Sequence, residues 1–217
     1  MDELQLIIGN KNYSSWSLRA WLYLTLNDIA FDELRLPLGT PEFHQRIHDY
    51  SPTGCVPALR QGDVCVWDSL AIIEYLDGIY SPAVSWPIEP RNKALALSAV
   101  MEMHSGFHAL RSHYPMDCRK TPFPAELRGD VQKDLTRLDH LWRSCLELSS
   151  GPALLGDLGI IDVFFAPVVF RLKTYQLPMS QPCQAYADWL YQLPEMQRWL
   201  QEARVETEVL ASNEWKG

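Results

Sequence analysis

The chain has 217 residues, 47% hydrophobic and 21% charged, with a net charge of -8 at neutral pH. This is long enough to bury a sizeable core in one large domain or two small ones, and too acidic for a general nucleic-acid binder, which needs a cationic footprint to displace counterions. Five cysteines without CxxC spacing and six histidines without HExxH point to neither a disulfide scaffold nor a metal site, and the lack of a long apolar run or signal-peptide pattern makes the cytoplasm the expected location.

Leu4–Ile8 (LQLII) reads as a short buried strand ended by Gly9-Asn10, and Ser15–Leu26 (SWSLRAWLYLTL) as a helix with apolar positions on a three-to-four residue period. Residues 31–36 form a second strand and Pro41 opens a helix. Strands over 56–59 and 64–67 flank Gln61-Gly62-Asp63, whose turn chemistry suits a tight hairpin, and a helix follows over 69–79. The order is therefore βαβαββα. Residues 80–90 (YSPAVSWPIEP) carry three prolines, which suits a linker better than a helix or strand. Beyond them the strand signals vanish. Residues 92–113 and 127–148 are amphipathic helical patterns, 161–175 is nearly apolar throughout and belongs at the centre of a bundle, and 183–193 and 195–206 are shorter helices split by Pro194. The expected domains are 1–80, a linker at 81–90, and an all-helical 91–217.

YSSWSLR (13–19), SPTGCVPAL (51–59) and VWDSLAIIEYL (66–76), in that order, followed by LLGDLGIIDVFFAPVVFRLKTYQL, carry a resemblance. The chain resembles the glutathione transferase superfamily through nearly its whole length, and its SSxSxR pattern is nearest to the zeta and related serine classes. The resemblance implies a thioredoxin-like α/β N-terminal domain followed by a helical bundle. It also implies glutathione as co-substrate, a small electrophile as second substrate, and a homodimer without nucleic-acid or membrane partners.

Ser14 matches the position where serine-class enzymes keep the hydroxyl that faces the glutathione sulfur. A thiol with pKa of about 8.5 must drop by roughly two units, or about 2.7 kcal/mol, to be mostly thiolate at neutral pH. A helix N-terminus supplies about 0.3 to 1 kcal/mol, at most about 2, and one hydrogen bond to a charged acceptor about 1.5 to 3. Hydroxyl and helix end together suffice. Ser15 is the expected helix cap and the alternative donor; in an isolated Ser-Ser pair both would simply start the helix. Trp16 stands where zeta enzymes carry cysteine, which removes that part of their chemistry.

Pro57 at a strand start suits a cis Val56-Pro57 bond, at a cost of about 0.5 to 1 kcal/mol, and equally an ordinary turn proline. The resemblance gives the Val56 backbone to the cysteinyl part of glutathione, in the manner of an added strand. Asp68-Ser69 is a helix N-cap in any protein; here the helix end would bind the γ-glutamyl carboxylate and Asp68 its ammonium. Related enzymes usually carry Glu at Asp68, Gln or Lys at Cys55, and Ser or Thr at Gly159. In the helical half, Met103, Phe107 and Arg111 are four apart on one predicted helix and would form an electrophile wall, with Arg111 and, secondarily, Arg171 clamping an anionic substrate. The alternative places Met103 and Phe107 in the core and both arginines in surface ion pairs.

The expected activity is addition of the glutathione thiolate to a small electrophile, with isomerisation of a maleyl-type double bond as one subtype. The alternatives are a glutathione-dependent oxidoreductase using Cys55, and a stress protein that binds glutathione without turnover.

Overall fold

The structure, a computed structural model, describes residues 2–215. β1 (Leu4–Ile8) lies inside a four-stranded sheet of order β2-β1-β3-β4, beside β2 (Asp32–Arg35), β3 (Ala58–Gln61) and β4 (Val64–Trp67). β1 and β2 are parallel, which the intervening α1 (Ser15–Leu26) makes possible by crossing one face of the sheet. β3 pairs antiparallel with β1 and β4. Gly62, at φ +59°, makes the β3–β4 turn.

Strand alternation sorts the apolar residues between two faces. Leu4, Leu6 and Ile8 join the main core, while Ile7 packs with Leu36, Phe43, Ile47 and Ala58 beneath α2 (Pro41–Arg46). α3 (Ser69–Tyr80) lies beside α1 on the main-core side.

Residues 81–89 form neither helix nor strand, and every later element is helical: α4 (Pro90–Ser105), α5 (His108–His113), α6 (Gly129–Leu146), α7 (Ile160–Tyr175), α8 (Gln181–Tyr191) and α9 (Pro194–Arg204). α7 is buried along almost its whole length and packs against α1, α4 and α8, so one core runs from the sheet into the bundle. Asp162 ties its start, accepting from Gly159 N at 2.9 Å and Leu154 N at 3.1 Å. A Cβ on Gly159 would stand 3.0 Å from the Ser85 carbonyl, which accounts for glycine there.

The helix expected over 92–113 is two helices. It breaks at Gly106, where a Cβ would meet the Glu102 carbonyl at 2.7 Å, and Phe107 then takes φ +53°. Met103 and Phe107 therefore do not share a helical face with Arg111; both are buried in the main core. No helix among the described residues is long and apolar enough to cross a membrane.

Candidate active site

A cleft of about 900 Å³ opens between the sheet domain and the helices, a size suited to a peptide-sized ligand together with a small second molecule. Ser14, Ser15, Cys55, Val56, Pro57, Asp68 and Ser69 line its sheet side, and Arg111 and Arg171 its helical side. Met103 and Phe107 are not among the lining residues. Trp16, Tyr13, His108 and Leu210, which the sequence did not single out as site residues, are.

Ser14, not Ser15, is the N-cap of α1. The helix needs an oxygen facing back onto its first free N–H groups, and Ser14 Oγ accepts from Ser17 N at 3.3 Å. Its own hydroxyl donates to Ser17 Oγ at 2.7 Å, and Ser17 Oγ also accepts from Gly9 N at 3.1 Å, at the end of β1. Ser15 is the first residue of the helix, and its hydroxyl makes no hydrogen bond among the described residues. Tyr13 turns its phenol away from this group: it donates to Glu214 Oε1 at 3.0 Å, accepts from Arg119 at 2.9 Å, and burial raises its pKa.

The Val56-Pro57 peptide is cis. β3 begins only at Ala58, and among the described residues the N–H and C=O of Val56 have no hydrogen-bond partner. This is an edge open to a short extended peptide. Asp68 caps α3, with Oδ1 accepting from Leu70 N at 2.9 Å, and holds φ at +75°. Beside it the Ser69 hydroxyl is buried without a hydrogen-bond partner among the described residues. Two free backbone groups, an unpartnered hydroxyl, a helix N-terminus and a carboxylate together match a ligand with an amino-acid end and a peptide stem.

On the helical side three arginines gather. Arg19 lies 4.4 Å from the Trp16 ring centroid and 4.6 Å from that of Phe164; Arg111 lies 4.7 Å from Trp16. Arg19 donates to Phe164 O, Arg171 to Pro167 O, and Arg111 to the carbonyls of His104 and Gly106. Among the described residues none of the three forms a salt bridge, so the surface ion pairs considered for Arg111 and Arg171 are absent. Among the described residues Arg19 Nη1 and Arg171 Nε are buried without hydrogen-bond partners. Burial, and then the neighbouring arginines, pull Arg19 down to about 9; burial and Arg111 pull Arg171 down to about 10. Concentrated, uncompensated positive charge of this kind favours an anion.

The C-terminal segment completes the cleft. Both oxygens of Glu206 accept backbone N–H groups of the first loop, from Lys11 at 2.7 Å and Asn12 at 3.0 Å, and Arg119 donates to the carbonyls of Glu206 and Glu208. Leu210 is thereby held in the cleft wall. Among the described residues no group of three or more His, Cys, Asp or Glu side chains could hold a metal ion.

The thioredoxin-like sheet, the cis proline beside an open backbone edge and the helical roof define a two-domain protein with a small-peptide cleft between its domains. Residues 13–79 match the family model described as glutathione S-transferase, N-terminal domain. A probable maleylacetoacetate isomerase from Vibrio cholerae is 22% identical over 190 residues, covering 82% of this chain and 86% of that protein. Glutathione S-transferase Z2 of Arabidopsis thaliana is 29% identical over 172 residues, covering 73% and 74%. A Burkholderia glutathione transferase homologue with bound glutathione superposes with a TM-score of 0.70 at 21% identity, covering 94% of this chain and 99% of that one. Residues 13–79 thus carry a glutathione S-transferase N-terminal domain, and the chain as a whole shares the fold of that glutathione transferase homologue.

Proposed function

We propose that the protein is a glutathione transferase that ionises glutathione at the start of α1 and adds the thiolate to a small, negatively charged electrophile. The observation that carries this reading is the cleft itself: Ser14, Val56 and Asp68 meet on one side of it, and Arg111 and Arg171 face them from the other. Glutathione lies with its cysteinyl backbone along Val56 and Pro57, its γ-glutamyl end at Asp68 and Ser69, and its sulfur at Ser14, with Ser15 as the alternative donor. Cys55 borders the peptide without taking part in the chemistry. Arg111 and Arg171 orient a carboxylate of the second substrate, and Trp16 supplies the apolar wall first assigned to Met103 and Phe107.

Reversible thiolate addition to a conjugated double bond, followed by bond rotation and release, is the subtype that the arginines and the similarity to maleylacetoacetate isomerases favour. An oxidoreductase using Cys55 is the weaker reading, because the start of α1 carries serine.

The protein acts as a cytoplasmic homodimer. Support for the dimer comes from exposed apolar side chains on both domains: Val64 and Trp67 on β4, Leu97 and Met101 on α4.

The test is retention on immobilised glutathione followed by thiolate absorbance of the bound complex titrated against pH. Retention with a bound-thiol pKa well below about 8.5 is expected. Retention with an unshifted thiol would leave a binding protein, and no retention would remove glutathione from the reading.

A further inference from the structure

Ser14 poses a problem for its own assignment. A serine hydroxyl has one proton and two lone pairs. Ser14 gives its proton to Ser17 Oγ and accepts from Ser17 N, so the proton a thiolate needs is already committed within α1. Ser17 is fully buried and has no access to the cleft. Its oxygen is fixed from behind by Gly9 N at 3.1 Å, so it is tied to the sheet and not only to its own helix.

The contact between the two hydroxyls is 2.7 Å, ordinary for O–H···O, with Ser14 as donor; each hydroxyl has one proton and two lone pairs, so turning both protons would reverse it. A thiolate is a charged acceptor and outcompetes a neutral hydroxyl for a proton. We propose that Ser17 is a positioning residue for the thiolate donor: when Ser14 turns its proton to the glutathione sulfur, Ser17 donates its own proton to Ser14 Oγ, and the hydroxyl pair is kept with its direction reversed. No covalent bond changes and no proton leaves the protein. Ser14 Oγ then accepts from both Ser17 N–H and Ser17 O–H, which polarises its O–H toward the sulfur. The third serine of SSxSxR thus has a task distinct from packing, one that rests on the reading of Ser14 as donor.

The test is the pH titration of bound-thiolate absorbance in wild type, Ser14→Ala, Ser17→Ala, Ser17→Cys, Ser17→Thr and the Ser14→Ala/Ser17→Ala double variant, with affinity for S-methylglutathione measured alongside. Ser17→Ala should raise the bound-thiol pKa by about half a unit to one unit, the size of an ordinary hydrogen bond. Ser17→Cys keeps the volume with a poor donor and should shift it in the same direction. Ser17→Thr should restore it, and affinity for S-methylglutathione, which has no thiol, should hold in all of them. In the Ser14→Ala background, loss of Ser17 should add nothing, because Ser17 acts through Ser14. If Ser14→Ala raises the pKa while Ser17→Ala and Ser17→Cys leave it at the wild-type value, the positioning role is overturned and the donor assignment survives. If Ser14→Ala itself leaves the pKa unchanged, both fall together. A Ser17 effect that persists in full without Ser14 would also overturn the proposal, since it would act by another route.

Discussion

Asp68 Oδ2 lies 3.2 Å from His104 Nε2, joining the cap of α3 in the sheet domain to α4 in the helical domain. With Oδ1 capping Leu70 N, one carboxylate serves a helix end, a domain contact and the proposed ammonium site. Asp68→Ala should cost about 1 kcal/mol of stability through the lost cap and weaken glutathione binding, while the pKa of whatever glutathione binds stays near wild type, since the proposed contact of Asp68 is with the end remote from sulfur. Calorimetry decides. Unchanged affinity would reduce Asp68 to a cap and a domain contact.

Ser14 is the N-cap of α1 and the proposed thiolate donor, so its replacement should show two effects. Ser14→Ala should lower the unfolding free energy by about 0.5 to 2 kcal/mol as a lost N-cap and should also raise the bound-thiol pKa and cut kcat. Ser15 is not the cap, so Ser15→Ala should leave stability near wild type and affect the thiol less. A larger thiol effect from Ser15→Ala than from Ser14→Ala would transfer the donor role.

Arg111→Ala and Arg171→Met should lower kcat/KM roughly 10- to 100-fold for an electrophile bearing a carboxylate, the scale of one charge-assisted hydrogen bond. A neutral electrophile of similar shape should lose much less. Steady-state kinetics on such a pair checks this, and equal losses on both would show that the arginines only hold the helices in place.

Cys55 is exposed at the cleft, but nothing in SPTGCVP places a cation beside it. Cys55→Ser should keep most conjugating activity, and the wild type should show little glutathione-dependent disulfide reductase activity. Strong reductase activity abolished by Cys55→Ser would make the protein an oxidoreductase.

Burial raises the Asp162 carboxyl from 3.8 to about 6, against the pull of the Gly159 and Leu154 amides. Between these values the folded protein binds the proton that the unfolded chain has lost. The contribution to stability is therefore full below the lower value and disappears as pH rises through about 6, a fall of roughly 3 kcal/mol. Urea unfolding of wild type and Asp162→Asn from pH 4 to 7 should show the variant gaining on wild type across that window. A difference independent of pH would rule the effect out.

What was legible in the sequence was local. LQLII, the period of 15–26 and the turn at Gly62 each carry their structure within a few residues, and β1, α1 and β4 stand where the pattern puts them, whereas β3, expected over 56–59, starts at Ala58 after the cis Val56-Pro57 bond and runs through Gln61. The residues named on the sheet side of the cleft came from contiguous motifs and lie together around it. The break at Gly106 was missed because the apolar period continues through it; the glycine between Ser105 and Phe107 was the available signal. Which of two adjacent serines caps α1 depends on where the loop turns, and composition at either position is the same. The grip of Glu206 on Lys11 and Asn12 spans 195 and 194 residues and leaves no periodic trace.

That last grip bears on how the cleft comes into being during synthesis. The serine-bearing loop emerges from the ribosome early, but the carboxylate that receives its Lys11 and Asn12 amides, and the Leu210 side chain that closes the wall, emerge only after every helix of the bundle has been made. A nascent chain with a complete sheet domain thus has the motif without the finished site. The cleft wall is complete only once residues 206–210 have been made and have docked on the first loop.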